Sequence, residues 1–284
     1  MAKVRIITDI TAKLKPELVD RHQITVLPVD IRFGDEAFHI GPDNGTERLF
    51  RRMAGNPALL AEATIPSGVF QQAYSRLSRE TSEILVLLSS SKLSNACAQA
   101  EAASRSFLGR YRIAVVDSMT ASWGLGLVVE AAAKAADKGQ SLDEIVRLVR
   151  GILPHIYLIF FVERLDYLER GERISPAQAL LGTILRIKPL LLIEDGDILP
   201  VEKVRTRSMA IEKLAEFVAE FASIQQVVIL SSPLDGETKE MIGQLREQLS
   251  LALPRRQFPV IEYDPVLACH VGPQALGVVV YERF

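Results

Sequence analysis

Short apolar runs alternate with amphipathic segments along the first half of the chain. Four of these runs have the length of a β-strand: Val4–Thr8, Ile24–Phe33, Ile84–Leu88 and Ile113–Val116. The segments between them have helical periodicity, as where Pro66 precedes a helix with Phe70 and Tyr74 on one face. Strands that alternate with helices predict a parallel sheet with helices packed against it.

The helices of this half have recognisable ends. Pro16 suits the first turn of a short helix, and Gly139 ends a long alanine-rich one. Ser141 and Glu144 then have the spacing of a capping box, in which each side chain bonds the other residue's backbone N–H. A further helix is predicted from about Asn95 to Phe107.

The second half has a different pattern. Asp195-Gly196 lies between two apolar runs and is a strong hairpin signal. The predicted strands are Ile156–Val162, Pro189–Ile193, Ile198–Arg205, Val227–Leu230, Phe258–Tyr263 and Leu276–Tyr281, and the predicted helices are Leu165–Arg170, Pro176–Leu185 and Met209–Phe221. A hairpin within an α/β pattern predicts a mixed sheet. We therefore predict an α/β protein of two domains, a parallel-sheet domain at 1–152 and a mixed-sheet domain at 153–284.

Charge and composition exclude several classes of function. Lys and Arg number 33 against 35 Asp and Glu, a formal net charge of -2, so we expect no nucleic-acid partner. The N-terminus lacks a secretory signal and no apolar stretch reaches membrane-span length, which predicts a soluble, cytoplasmic protein. Two cysteines without a CxxC pair and four scattered histidines predict neither a metal site nor a cofactor.

Polar residues follow the predicted strands of the first half. They are Asp9-Ile10-Thr11, Ser89-Ser90-Ser91 with Ser94, and Asp117-Ser118. Thr64, just before the helix that Pro66 opens, adds another hydroxyl. The carboxyl ends of parallel strands meet at one edge of a sheet, where such folds bind ligands. Helix N-termini at that edge add free N–H groups and partial positive charge. The combination is suited to a carboxylate or phosphate oxygen.

Other interpretations of these residues remain open. Ser94, Ser67 and Ser141 are each ordinary helix N-cap residues. An acyl-ester hydrolase or transferase could use Ser94 with His270, and a carbohydrate- or nucleotide-phosphate binder could use the same helix ends. Cys269 and His270 are adjacent, but in an extended segment they would point to opposite faces.

Several segments, in chain order, resemble motifs of the DegV family. They are Thr8-Asp9-Ile10-Thr11, Thr64-Ile65-Pro66-Ser67, Ser90-Ser91-Lys92-Leu93-Ser94, Asp117-Ser118 with Ser122-Trp123-Gly124-Leu125-Gly126, Leu165-Asp166-Tyr167-Leu168-Glu169-Arg170-Gly171-Glu172-Arg173-Ile174, Ile187-Lys188-Pro189 and His270-Val271-Gly272-Pro273. The resemblance covers nearly the whole chain.

This resemblance implies a non-catalytic lipid carrier with one long-chain fatty acid, such as palmitate, between two domains. The first domain would hold the carboxylate, and the second would hold the acyl chain in a tunnel. Thr64, Ser94 and His270 match the family's carboxylate-binding residues, and Ser67 and Ser118 are expected to support them. Bacterial members present the bound acid to a separate kinase that makes acyl phosphate. Transient peripheral contact with a membrane also fits this role.

One further match concerns the partner. Arg173 corresponds to an arginine that faces the kinase. Its position between two predicted helices is also typical of a solvated charge in a surface loop. The chain departs from the family motifs at Ala63, Asn95 and Glu172, where the family has a threonine and two glycines. Two further departures, at Ile10 and Ala96, each remove a hydroxyl. These changes affect the expected head-group geometry and the kinase interface rather than the fold.

Overall fold

The computed structural model describes residues 3–41, 46–56, 61–163, 167–168, 187–232 and 236–283. The strands of the first half are β1 (Arg5–Asp9), β2 (Thr25–Leu27), β3 (Val29–Phe33), β4 (Glu36–Ile40), β5 (Ala61–Thr64), β6 (Glu83–Leu88) and β7 (Arg112–Asp117). Its helices are α1 (Pro16–His22), α2 (Thr46–Gly55), α3 (Ser67–Leu77), α4 (Ala96–Ser104), α5 (Trp123–Asp137) and α6 (Leu142–Ile152).

The predicted parallel sheet is present in the first half. Its order is β2-β1-β6-β7, and every neighbouring pair is parallel. Strand β6 lies in its interior, and Ile84–Leu88 are all completely buried, which explains their uninterrupted apolar run. The predicted α/β class is therefore confirmed.

The prediction of one strand over Ile24–Phe33 was wrong. Pro28 separates β2, which joins the parallel sheet, from β3, which belongs to an antiparallel sheet of order β4-β3-β5. Proline has no N–H for a ladder and here marks the point where the chain leaves one sheet for the other. Phe33 and Glu36 pair across the two-residue turn Gly34-Asp35, a recognised hairpin signal.

Local capping signals at the helices are also confirmed. Pro16 occupies the first position of α1, and Gly139 follows α5 with a positive φ of 77°. The capping box of Ser141 and Glu144 is formed at α6. Gly126 in α5 allows a close approach, because a Cβ there would lie 2.1 Å from the Ala12 carbonyl oxygen of the 3₁₀ turn that follows β1.

The second half is built on a six-stranded mixed sheet. Its strands are β8 (Ile156–Val162), β9 (Lys188–Glu194), β10 (Asp197–Val204), β11 (Ile224–Ser231), β12 (Val260–Glu262) and β13 (Ala275–Glu282), in the order β10-β9-β8-β13-β11-β12. Its helices are α7 (Arg207–Ala219), α8 (Gly236–Ala252) and α9 (Pro265–Val271). All neighbouring strands are antiparallel except β11 and β12, as a mixed sheet requires.

Two predictions for this half concern its connections. Asp195-Gly196 forms the predicted hairpin turn between β9 and β10, with positive φ at both residues. The predicted helix at Leu165–Arg170 lies outside the described residues except for Tyr167 and Leu168, and that at Pro176–Leu185 lies outside them entirely.

Both faces of the mixed sheet are buried. Along β13, Leu276, Val278 and Val280 face a core shared with α7 and α8, while Val279 and Tyr281 join the core that continues into the first half. The sheet is thus packed between its own helices and the first half. In the described part of the chain, no helix is long and apolar enough to cross a membrane.

Helix α9 belongs to the second half in sequence but packs on the first. His270 bonds to the Leu93 carbonyl, and the backbone N–H of Asp264 donates to the Ser122 hydroxyl at 3.3 Å. Gly272 ends the helix with φ 83°, and a Cβ there would lie 2.6 Å from the Tyr167 ring. This packing brings residues from the end of the sequence to the carboxyl edge of the parallel sheet. The predicted boundary between 1–152 and 153–284 stays a prediction.

Candidate functional site

A small cavity lies at the carboxyl ends of the strands β1, β5 and β6. Its volume is about 10 Å³, room for about one water molecule. We call it the strand-end cavity; it is lined by Asp9, Thr11, Val29, Ala63, Thr64, Ile65, Ser89, Ser94, Ala96 and Val266. A larger ligand group would enter only with movement of side chains that line it. The predicted convergence of strand-end polar residues is thus present in the structure.

Two predicted site residues, Thr64 and Ser94, meet in this cavity. Thr64 is the last residue of β5, and Ser94 lies in the turn between β6 and α4. Ser94 is buried, and its hydroxyl accepts from the backbone N–H of Ala96 at 3.4 Å. Since Ala96 is the first residue of α4, the cavity also receives the N-terminal end of a helix with its partial positive charge.

The sequence departures at Ala63 and Asn95 both have consequences here. Ala63 lines the cavity with a methyl group where the family has a hydroxyl. The Thr64 hydroxyl donates to Oδ1 of Asn95 at 3.2 Å. A ligand oxygen must therefore compete with Asn95 for the hydrogen bond that the Thr64 hydroxyl donates. A glycine at position 95 has no side chain that could accept this hydrogen bond.

The third predicted residue, His270, lies behind the cavity wall. Its Nε2 is 2.8 Å from the Leu93 carbonyl oxygen, and the side chain is buried. A carbonyl oxygen can only accept, so Nε2 carries the proton and donates. His270 thereby fixes the residue before Ser94 and orients the turn that presents the Ser94 hydroxyl.

The remaining predicted residues lie elsewhere. Ser67 is the first residue of α3 with Pro66 in the N-cap position, and it does not line the cavity. Ser118 is buried with its hydroxyl donating to the Thr120 carbonyl at 3.4 Å, a bond that holds the loop after β7. Arg173 lies outside the described residues. The roles of these residues stay predictions.

Two further polar residues of the cavity, Thr11 and Asp9, belong to the strand-end residues expected at this edge, but no role in head-group binding was predicted for either of them. Thr11 is buried, and its hydroxyl forms no hydrogen bond of good geometry within the described residues, although it lies close enough to Asp9 to lower the pKa of that carboxyl. A buried hydroxyl without a partner is costly and is usually bonded to something that enters the site. The signal available in the sequence was position: Asp9 is the last residue of the interior strand β1, and Thr11 lies in the 3₁₀ turn that follows it.

Asp9 forms an acidic pair with Asp264, the N-cap residue of α9. The backbone N–H of Thr11 donates to Asp9 Oδ1 at 2.7 Å, and that of Leu267 donates to Asp264 Oδ1 at 2.8 Å. Burial raises the pKa of Asp9 to about 6 against its hydrogen bonds with Thr11. Burial also raises the pKa of Asp264 to about 6, and the charge of Asp9 adds to that effect.

The geometry bears on the hydrolase alternative. In that alternative His270 could take the Ser94 proton only through Nδ1, because its Nε2 donates to the Leu93 carbonyl. The nearby Cys269 thiol donates to the Pro265 carbonyl, and burial raises the pKa of this thiol far above its ordinary range. The prediction that residues 269 and 270 are extended was wrong, since both lie in α9.

Comparison with protein families gives a match over nearly the whole chain. The sequence profile of the family described as "Uncharacterised protein, DegV family" matches residues 3–283. A DegV domain-containing protein of Streptomyces coelicolor is 34% identical over 282 residues, with 99% of each chain covered.

Solved structures give the same result. A DegV family protein from Thermus thermophilus, whose structure is described for its fatty acid binding, is 27% identical with a TM-score of 0.85. DegV from Bacillus subtilis, described as a fatty acid binding protein, is 25% identical with a TM-score of 0.84. Both comparisons cover 100% of each chain.

Proposed function

Because the chain belongs to the DegV family, we propose that it binds one long-chain fatty acid with the carboxyl group at the strand-end cavity. The observation that carries this proposal is that four hydroxyl-bearing residues, Thr11, Thr64, Ser89 and Ser94, line one small cavity. The N-terminus of α4 adds backbone N–H groups there. Hydroxyls and helix ends orient a carboxyl group without committing the site to catalysis.

The energetics of such a ligand divide between its two ends. An acyl chain buried at about 0.8 kcal/mol per CH₂ supplies most of the affinity. Each hydrogen bond to the carboxyl group adds about 1–2 kcal/mol and selects the end that enters the cavity. The acyl-chain tunnel is proposed for the second half, whose residues 164–166 and 169–186 lie outside the described part.

The first test is whether the protein carries this ligand. Organic extraction of purified protein followed by mass spectrometry should recover about one long-chain fatty acid per chain. Delipidated protein should take up palmitate. Recovery of no lipid together with no uptake of palmitate or oleate would contradict the proposal, and turnover of an acyl ester would favour the hydrolase.

A matched pair of serine variants tests the site. Ser94→Ala should weaken palmitate binding about 5- to 30-fold, because one charge-assisted bond is lost, with little change in melting temperature. Ser141→Ala removes an equivalent hydroxyl at the α6 capping box, away from the cavity. It should lower the melting temperature and leave palmitate affinity unchanged. The reverse assignment of the two effects would make Ser94 a structural cap only.

We also propose that the bound acid is presented to a partner kinase that forms acyl phosphate, with Arg173 at the interface. Arginine forms bidentate contacts with carboxylates and phosphates, which suits this position. Arg173→Ala should leave palmitate binding intact and abolish acyl phosphate formation in an assay with the host's kinase. Equal acyl phosphate formation by wild type and variant would remove Arg173 from the functional site.

A further inference from the structure

The strand-end cavity contains a carboxyl group of its own. Asp9 lines it together with Thr64 and Ser94, and is 1% exposed. Among the described residues that line the cavity, none has a positively charged side chain. A fatty acid carboxylate placed here would therefore meet a second carboxyl group in a site without a compensating cation.

The other charged and titratable groups around Asp9 do not remove this conflict. Asp264, from the N-terminus of α9, adds a further negative charge. Lys13 attracts Asp264 and does not line the strand-end cavity, although it lines a neighbouring groove together with Asp9. Cys97 on α4 is neutral because burial, with the charges of Asp117 and Asp9 adding to it, raises the pKa of its thiol to about 12.

His270, on α9, uses Nε2 as a donor to the Leu93 carbonyl. The remaining positive field is that of the α4 N-terminus, roughly half an elementary charge. This partial charge can offset one carboxylate in part, but not two. Since like charges in one buried site cannot both stay ionised, one of the two carboxyl groups must hold a proton.

We propose that Asp9 binds the head group of the fatty acid. Asp9 takes up one proton from solvent when the ligand binds, and its protonated carboxyl group donates a hydrogen bond to the ligand's carboxylate. The geometry supports this role. Asp9 Oδ1 already accepts from the Thr11 N–H, which leaves Oδ2 to carry the proton. The Thr11 hydroxyl lies beside Asp9 but forms no hydrogen bond of good geometry within the described residues, so it can bond the second ligand oxygen. The inference rests on the proposed function.

The proton should be measurable directly. Delipidated protein is titrated with laurate by calorimetry at about pH 8, in phosphate and in Tris, whose ionisation enthalpies differ. We expect uptake of about one proton per laurate, and affinity that falls about tenfold per pH unit above about pH 6. Dodecanol, which has the same chain and no carboxyl group, should bind without proton uptake.

Three Asp→Asn variants assign the proton to a residue. Asp9→Asn keeps the acceptor for Thr11 N–H and should bind laurate with no proton uptake and no fall in affinity with pH. Asp264→Asn keeps its helix cap and should still take up about one proton. Asp117→Asn is the matched control, since Asp117 also follows a strand and accepts backbone N–H groups but does not line the cavity. It should behave as wild type.

Each result distinguishes this inference from the proposed function. Laurate binding by wild type without proton uptake would overturn the role of Asp9 and leave fatty acid binding in place. Loss of uptake in Asp264→Asn but not in Asp9→Asn would overturn the assignment to Asp9. No binding of laurate or palmitate at any pH would overturn both. The wild-type measurement alone decides the proton uptake if Asp9→Asn fails to fold.

Discussion

Two buried regions of this molecule differ in whether their polar side chains have hydrogen-bond partners. In the core between the mixed sheet and the helices α7 and α8, the buried hydroxyls of Ser232 and Thr238 lie within hydrogen-bonding distance of each other, 3.4 Å apart. At the carboxyl edge of the parallel sheet, Thr8 and Thr11 have hydroxyls that are buried and without a partner in the described structure. The Oδ2 atom of Asp264 is likewise buried and without a hydrogen-bond partner in the described structure.

The difference separates a region built for stability from one built for a ligand. Folded proteins rarely leave buried polar atoms unpaired, because each costs about 1–3 kcal/mol. A cluster of such atoms beside a cavity therefore marks the place where bonds are completed by something that binds. The apolar core has no such atoms among its described residues, and its role is to hold the sheet.

The largest effect is expected from breaking the apolar core. Leu214 is completely buried in α7, and Leu214→Ala should lower the free energy of unfolding by about 2–5 kcal/mol through lost contacts and a cavity. Leu251→Ala in α8 is the control, because Leu251 is 74% exposed and its loss should change stability by less than about 0.5 kcal/mol. Urea denaturation measures both. Equal losses would show that this core contributes little.

Replacing a buried carboxyl group at the carboxyl edge of the parallel sheet should instead increase the free energy of unfolding. Burial raises the pKa of Asp9 from 3.8 to about 6, so the folded protein binds more protons than the unfolded chain between these values. Wild-type stability then falls as pH rises through this window. Asp9→Asn, which cannot ionise, should be more stable than wild type by about 3 kcal/mol at about pH 8 and equal to it below about pH 4.

The check is urea denaturation of both proteins, without lipid, across this pH range. A difference that does not change with pH would mean that Asp9 keeps the same protonation state in the folded and unfolded chain.

The attachment of α9 provides a smaller effect. The Tyr263 hydroxyl donates to the Gly272 carbonyl at 2.8 Å and accepts from the Ala275 N–H at 3.2 Å, and so closes the segment that contains the helix. Tyr263→Phe leaves both backbone groups unpaired and should cost about 1–3 kcal/mol. Tyr281→Phe is the control, since its hydroxyl has no partner within the described residues. In thermal unfolding, Tyr263→Phe should have a lower melting temperature than Tyr281→Phe. Identical melting temperatures would contradict the stabilising role of the Tyr263 hydroxyl.

The smallest effect is expected at the α6 capping box, far from either region. Ser141→Ala should lower the free energy of unfolding by about 1 kcal/mol, because the backbone N–H of Glu144 loses its partner. Ser141→Asn should restore most of this loss, since asparagine is an equally good cap. Urea denaturation of the three proteins makes the comparison. No loss in Ser141→Ala would show that solvent replaces the cap without cost.

Much of the fold could be predicted because local signals and burial agree. Ile156–Val162 is a strand with the predicted bounds, and Asp195-Gly196 turns as the residue types require. The prediction was wrong where a single residue, Pro28, divides an apolar run between two sheets. Hydropathy cannot reveal this division, since both strands are buried.

The candidate site was predictable only in part. Asp9 and Ser94 lie at or just after the carboxyl ends of strands of the parallel sheet, so topology alone brings them to one edge, whereas Thr64 arrives from the separate antiparallel sheet. Asp264 and His270 come from a helix near the end of the chain, and no periodicity in the sequence places that helix against Leu93. Their contribution depends on tertiary packing. No local pattern in the sequence therefore indicates that Asp264 and Asp9 interact.

The position of α9 also has a consequence for the order in which the protein matures. The bond between His270 and Leu93 spans 177 residues. During synthesis, Leu93 and the parallel sheet leave the ribosome long before α9 exists, and contacts of such large sequence separation form late and slowly. The edge that would receive the head group is therefore completed only when the chain is almost finished. A nascent or truncated chain can have its first sheet folded and still lack a finished receptor.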